Sequence, residues 1–354
     1  VQLGDPILKS KRTGKPIGGE LALLRTIRAR ADGILGSRVL GSRVRLGIGD
    51  DCALLRPRPG EELAVTTDLS IEGRHFRLDW HPPESVGHRT LARGLSDLAA
   101  MGARPVAAFL SLGLPRALTT AKGAERAWVD RFLDGLLALA AEHKVPLAGG
   151  DLAESPFAVA DIVLTGAVPQ GKALLRSGAR PDDRIYVTGS LGGAAAELTA
   201  LSKSPKRFAA CTQAGKAHPH LYPQLRIAQG LWLRKHGLAS AAIASAAMDI
   251  SDGLSTDLAH LCQESGVAAE IDAAALPLAA EATLTMALHG GEDYELLFTA
   301  PASAKLPRSI AGVAITALGR IIPAKKSRPH VTLITNGVST PLIPEGWEHF
   351  SARK

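Results

Sequence analysis

Residues 248–257 read "MDISDGLSTD" and follow the alanine-rich run "LASAAIASAA" at 238–247. The stretch puts Asp249, Asp252 and Asp257 where a strand is expected to enter a helix. Other acidic residues recur in similar company. "GIGDD" carries Asp50 and Asp51 after glycines, "TTD" ends a strand-like segment at Asp68, and "LSD" sets Asp97 on a helix. "GGD" gives Asp151, and "GGED" gives Glu292 and Asp293. Taken singly, each such aspartate reads as a helix cap or an Asx-turn, and Asp257 and Asp293 fit that role well. Their recurrence after Gly, Thr or Ser at element junctions points to one shared cleft.

Gathering carboxylates is costly. Two like charges about 4 Å apart repel by roughly 4 kcal/mol at an effective dielectric near 20. These motifs have no interleaved Lys or Arg, so the expectation is bound metal. The donors are hard oxygens, the carboxylates together with the hydroxyls of Thr66, Thr67 and Ser251, while His and Cys are absent apart from Cys52. That set suits Mg²⁺, or Mn²⁺ or Ca²⁺, and argues against zinc. Mg²⁺ commonly bridges to phosphates, which makes a phosphorylated substrate the natural companion.

The surrounding pattern sets the fold class. Helical spacing of apolar residues predicts helices over 18–33, 85–103 with Ser85 as N-cap, 124–144 and around 221–237. Strands are expected at 62–68, 105–115, 157–169, "RIYVTG" (184–189), 267–271 and 312–322. A hairpin should turn on Asn336–Gly337. Strands and helices mix in both halves, giving an α/β (α+β) class, and the polar stretch 169–183 is a candidate boundary. The expected organisation is a flexible basic extension at 1–18 and domains at 19–169 and 170–354. "GSLGG" (189–193), entering a helix, could cradle phosphate with its amides.

Composition limits the rest. The 354 residues are 46% apolar and 21% charged, ordinary for a globular protein, with net charge +7. Basic charge concentrates at Lys9–Lys15 and "KKSR" (325–328), read as a tail and a solvated loop. Aromatics are only 4%, little for bases to stack on, so no nucleic-acid partner is expected. No apolar run reaches membrane-spanning length, and no secretory leader is visible at the start. Three cysteines without a CxxC fit a reducing cytoplasm. P-loop, protein-kinase and G-x-S-x-G motifs are missing.

Together, "GIGDDCALL", "TTDLSIEGRHF", "LSDLAAMGARP", "AGGD", "RSGARPDDRIYVTG", "MDISDGLSTDL" and "GGEDYELLF" resemble the thiamine-monophosphate kinase family. That family lies within the aminoimidazole ribonucleotide synthetase-like ATP-binding superfamily. The resemblance runs from about Gly19 to Phe350, and "MDISDGL" with "GGEDYEL" favours this family over its superfamily relatives. It implies a two-domain fold of mixed sheets packed with helices, and a homodimer. The implied reaction is ATP-dependent phosphorylation of thiamine monophosphate to thiamine diphosphate, the last step of that biosynthesis, with several Mg²⁺ ions and ATP as co-substrate. Asp51, Thr66, Thr67, Asp68, Asp97, Asp151, Asp249 and Asp252 match the metal positions. Gly150, Asp151, Arg176 and Ser251 match nucleotide positions, and His75, Glu292 and Trp347 match substrate contacts. One departure is Gly94, where the family usually has Asn. Rival readings are another ATP-dependent enzyme of the superfamily, a nucleic-acid-binding protein, or a metal-stabilised scaffold.

Overall fold

The computed structural model describes residues 20–35, 43–48, 51–121, 126–211, 218–236, 243–325 and 330–347. The basic extension, Asp50, most of "KKSR" and the C-terminal residues beyond Trp347 lie outside them.

After α1 (Glu20–Leu35), the short strands β1 (Val44–Leu46) and β2 (Leu54–Leu55) pair with each other. A mixed four-stranded sheet follows, in the order β3 (Glu61–Ile71), β6 (Val159–Pro169), β4 (Arg104–Leu114), β5 (Leu147–Glu154). Its β4–β5 pair is parallel and the other pairs are antiparallel. The helix α2 (Pro83–Ala100) lies on one face of it, and α3 (Trp128–Glu142) packs against α2. Leu91, Leu95 and Leu98 of α2 and Phe132, Leu133 and Leu136 of α3 are essentially free of solvent. These are the three-to-four-residue apolar spacings that the sequence displays.

The second sheet is larger and also mixed. Its order is β14 (Val338–Pro341), β13 (Val331–Thr335), β9 (Val267–Asp272), β12 (Val313–Pro323), β7 (Arg184–Thr188), β10 (Leu296–Ala300), β8 (Ala246–Asp249), and β11 (Ser309–Ile310) pairs with β12. The elements α4 (Gly193–Lys203), α5 (Ile227–Lys235), α6 (Leu254–Ser265) and α7 (Leu284–His289) complete this half. Its central strands are buried on both sides, with successive residues sent to opposite cores. Leu296 and Phe298 join the cluster around α2, whereas Leu297 joins Ile185, Val187 and Leu258. Tyr186 and Ala247 follow the first group, and Met248 the second. One hydrophobic core therefore runs from the first sheet through α2 into the second, and it fixes where Asp249 points.

Local departures from the sequence reading have simple causes. α2 starts at Pro83, whose missing N–H costs nothing in the first turn, and Ser85 lies inside the helix with its Oγ donating to the Pro82 carbonyl at 2.8 Å. α5 begins only at Ile227, with Arg226 at its N-cap and Pro223 outside the helix. Asp151 sits within β5 rather than in a loop. The glycine pair before it disguises a strand and is needed there: a Cβ on Gly150, at φ +148°, would lie 1.8 Å from the Leu110 carbonyl oxygen. Asn336 and Gly337 take φ of 51° and 79°, as a tight hairpin turn requires.

Candidate active site

One face of α2 organises the acidic residues. Arg89, Arg93 and Asp97 stand four residues apart, with Ser96 beside the last, so they form one stripe along the helix. Each meets a partner on another element. Arg89 Nη2 donates to Glu292 Oε1 at 2.6 Å, and Arg93 Nε lies 3.1 Å from Asp68 Oδ1 on β3. Ser96 Oγ donates to Asp249 Oδ2 at 2.6 Å, and the Thr66 hydroxyl donates to Asp97. The expectation that no basic residue attends the acidic motifs is thus corrected. Arg89 and Arg93 are separated from those motifs in sequence by helical spacing alone, and they offset part of the charge.

The charge left over is substantial. Burial outweighs the Arg93 ion pair and, with smaller repulsion from Asp97 and Asp161, pushes Asp68 up to about 6. Burial and then Asp249 raise Asp97 to about 6, against Thr66, Arg176 and Arg93. Asp249 is raised by burial and by Asp68, and lowered by Ser96 and Arg176. Asp68, Asp97 and Asp249 thus come from β3, α2 and β8 to feel one another in a single pocket of negative potential, with Arg176 nearby.

The opening motif supplies the next part. Asp257, in the first turn of α6, accepts amide hydrogens from Ser251, Asp252 and Gly253 at 3.0–3.1 Å, so it holds the loop as the capping role anticipates. The Ser251 carbonyl accepts from the Glu292 amide at 2.8 Å, and the Asp252 carbonyl accepts from the Trp347 amide at 3.0 Å. Glu292 and Trp347 are therefore tied by backbone to the loop that bears Asp252, although they lie 40 and 95 positions away. Burial alone would raise the Glu292 carboxyl, but Arg89 and the His220 contact outweigh it and hold it far below its ordinary value. "GSLGG" has another partner than phosphate. The amides of Gly192 and Ala194 donate to Asp293 at 2.6 and 3.1 Å, and burial still pushes that carboxyl up to about 7.

A second group stands apart. Asp51, Gly150 and Asp151 line a cavity of about 580 Å³ between α1, residues 47–48 and 51–53, the middle of β4 and most of β5. Its floor is apolar, with Ile27, Phe109 and Leu147, and its rim carries Arg25 and Arg28. In the sheet register Leu69, Asp161, Ser111 and Asp151 share one row, so Asp151 lies three strands from β3, roughly 14 Å at normal spacing. Thr67 alternates with Thr66 and Asp68 on β3 and is exposed on the opposite face. His75 occupies the turn after β3, its Nδ1 accepting from the Ile71 amide at 3.0 Å. Trp347 leaves half of its surface in solvent.

Among the described residues, no three His, Cys, Asp or Glu side chains are close enough to hold a metal on their own. The donor chemistry still fits Mg²⁺, which needs few protein oxygens and fills its remaining positions with water and phosphate. Clustered carboxylates that Arg93 and Arg176 offset only in part, all hard donors, are what such an ion would neutralise.

Comparison with known proteins agrees with this architecture. The family described as AIR synthase related protein, N-terminal domain, matches residues 49–169, and the corresponding C-terminal domain matches residues 180–332. Thiamine-monophosphate kinase of Escherichia coli K12 is 38% identical over 328 residues, covering 89% of this chain and 95% of that protein. The crystal structure of thiamine-monophosphate kinase from Stenotrophomonas maltophilia K279a is 36% identical with a TM-score of 0.73, covering 91% of this chain and 98% of that one. A structure described as AaThiL complexed with AMPPCP and TMP is 29% identical with a TM-score of 0.68, covering 96% and 100%. Two AIR synthase-related domains, with this degree of identity over nearly the full length of the relatives, identify the chain as a kinase belonging to the thiamine-monophosphate kinase family.

Proposed function

We propose that this chain transfers the γ-phosphoryl group of ATP directly to the phosphate of thiamine monophosphate, releasing thiamine diphosphate and ADP. An oxygen of the acceptor phosphate forms the new bond to the γ-phosphorus as the bond to the β–γ bridging oxygen breaks in line. With a second pKa near ~6 the acceptor is mostly dianionic at neutral pH, so no general base is assigned. The obstacle is repulsion between two polyanions. Bound Mg²⁺ would supply charge neutralisation and alignment of the phosphate oxygens.

The convergence of Asp68, Asp97 and Asp249 from two sheets and a helix is the observation that carries this reading. These three, with Thr66 and Asp252, would hold Mg²⁺, and Asp51, Thr67 and Asp151 would contribute from the open side of the first sheet. Gly150, Asp151, Arg176 and Ser251 are assigned to the nucleotide, and the apolar cavity beside Asp51 and Asp151 suits a purine base. His75, Glu292 and Trp347 are assigned to thiamine monophosphate. Its permanently cationic ring suits an ionised Glu292 and a half-exposed indole. Residues 19–169 and 170–354 are the proposed domains. The outward row Leu63, Val65 and Leu69 on the edge strand β3, exposed by 42%, 62% and 46%, supports a homodimer through that face. No helix among the described residues is long and apolar enough to cross a membrane, and a cytoplasmic location remains part of this proposal.

Phosphorus NMR of purified protein with ATP, Mg²⁺ and thiamine monophosphate tests the reading. The diphosphate product should appear together with ADP. Folded protein that forms ADP but no thiamine diphosphate under saturating conditions would refute the substrate assignment.

A further inference from the structure

We propose that Arg89 and His220 act as positioning residues for Glu292, clamping its carboxylate so that it selects a cationic or N–H-donating group of the substrate. This rests on the reading that Glu292 faces thiamine monophosphate.

Glu292 is unusually constrained. It has a positive φ of 66°, which a residue with a side chain adopts only under local compulsion, and its amide is spent on the Ser251 carbonyl. Both carboxylate oxygens are engaged from different directions. Oε1 accepts from Arg89 Nη2 at 2.6 Å, and Oε2 lies 3.1 Å from His220 Nδ1. Arg89 and His220 are each buried to within a few per cent, whereas the Glu292 side chain keeps 26% of its surface open. The exposed part of this cluster is thus the anion, and its fixed part is the pair that holds it.

The hydrogen-bond direction follows from Arg89. His81 Nδ1 lies 3.1 Å from the Arg77 amide and 3.2 Å from the Arg77 carbonyl, and its other ring nitrogen, Nε2, turns to the His220 ring. That nitrogen lies 3.1 Å from His220 Nε2, which also faces Arg89 Nη1 at 3.1 Å. Arg89 can only donate, so His220 Nε2 is the acceptor of both and its own proton sits on Nδ1, 3.1 Å from Glu292 Oε2 but off the line of a hydrogen bond. A buried imidazole pair thereby sets an N–H beside the carboxylate, and Arg89 provides both the direct hydrogen bond and the balancing charge. A simple staple between the two halves would not need the directed imidazole pair.

The test is calorimetric binding of thiamine monophosphate and, separately, of a non-hydrolysable ATP analogue. The clamp predicts that Arg89→Gln weakens thiamine monophosphate binding at least tenfold while the nucleotide analogue changes less than twofold. In a Glu292→Gln background, the same Arg89 substitution should add less than twofold. His220→Gln should weaken the same ligand selectively. If Arg89→Gln lacks a cooperative melt, Arg89→Lys, which keeps the charge and loses the fork, should show the same selective loss. Thiamine monophosphate affinity within twofold of wild type in a folded Arg89 variant would overturn the clamp, as would an equal loss with Glu292 already replaced. Wild-type protein that binds no thiamine monophosphate would instead overturn the substrate reading.

Discussion

Replacing Asp97 with Asn separates the electrostatic cost of the acidic cluster from its use. Burial and then Asp249 raise this carboxyl from its ordinary 3.8 to about 6. A carboxyl raised on folding binds its proton more readily in the native state. Its penalty is therefore absent below about pH 4, grows between pH 4 and 6, and is complete above 6. At about 1.4 kcal/mol per pH unit that span is worth roughly 3 kcal/mol, which partial solvation and sharing with Asp249 reduce to about 1–2 kcal/mol. Asn keeps an acceptor for the Thr66 hydroxyl, so that hydrogen bond survives. With an unfolding entropy of about 2.1 cal/mol/K per residue, the gain amounts to about 1–3 °C for a chain of 354 residues. Scanning calorimetry in chelator at pH 7.5 should show Asp97→Asn melting that much above wild type, with the gap closing near pH 4.5. Saturating Mg²⁺ should reverse the order, because ligand binding to the native state raises wild type more. A variant that melts below wild type in chelator at pH 7.5, or equal stabilisation of both proteins by Mg²⁺, would refute the reasoning.

Asp252→Asn should lower kcat roughly 10²-fold with little change in the melting temperature, measured by coupled ADP release, because the isosteric replacement keeps the packing of this half-buried side chain and removes only its charge. Gly346→Ala places a Cβ 2.2 Å from the Asp252 carbonyl oxygen and 2.6 Å from Thr256 Oγ1, so the segment bearing Trp347 should lift from the loop. The KM for thiamine monophosphate should rise several-fold more than that for ATP, and steady-state kinetics will show whether it does. Gly94→Asn, which restores the residue usual in the family, puts a Cβ 2.6 Å from Leu164 Cδ1. Chemical denaturation should report a loss of about 1–3 kcal/mol, the cost of overpacking.

Much of the fold was legible because helices and strands wrote their burial into apolar spacing, as in α3 and β6. β5 was not, since glycines carry no side-chain period and the need for them comes from the neighbouring Leu110 backbone. The acidic motifs named the cleft correctly in kind, but strand parity decided membership. Thr66 and Asp68 face α2, Thr67 faces away, and only pairing with β6 reveals which. Arg89 and Arg93 were within reach of the sequence, at eight and four residues before Asp97 on the same helix. A stripe search along "RTLARGLSD" would have found them. His220 had no such signal, because its approach to Glu292 depends wholly on tertiary packing.

The core that passes through α2 also says what happens when the chain is divided. A break in the polar stretch between β6 and β7 would give neither fragment a finished surface. The leading piece would present Arg89 and Ser96 without acceptors, and the trailing piece would turn Leu296 and Phe298 to water. Each half is the mould in which the other sets, so exchanging one half between relatives would succeed only when the helix face and the strands it meets travel together.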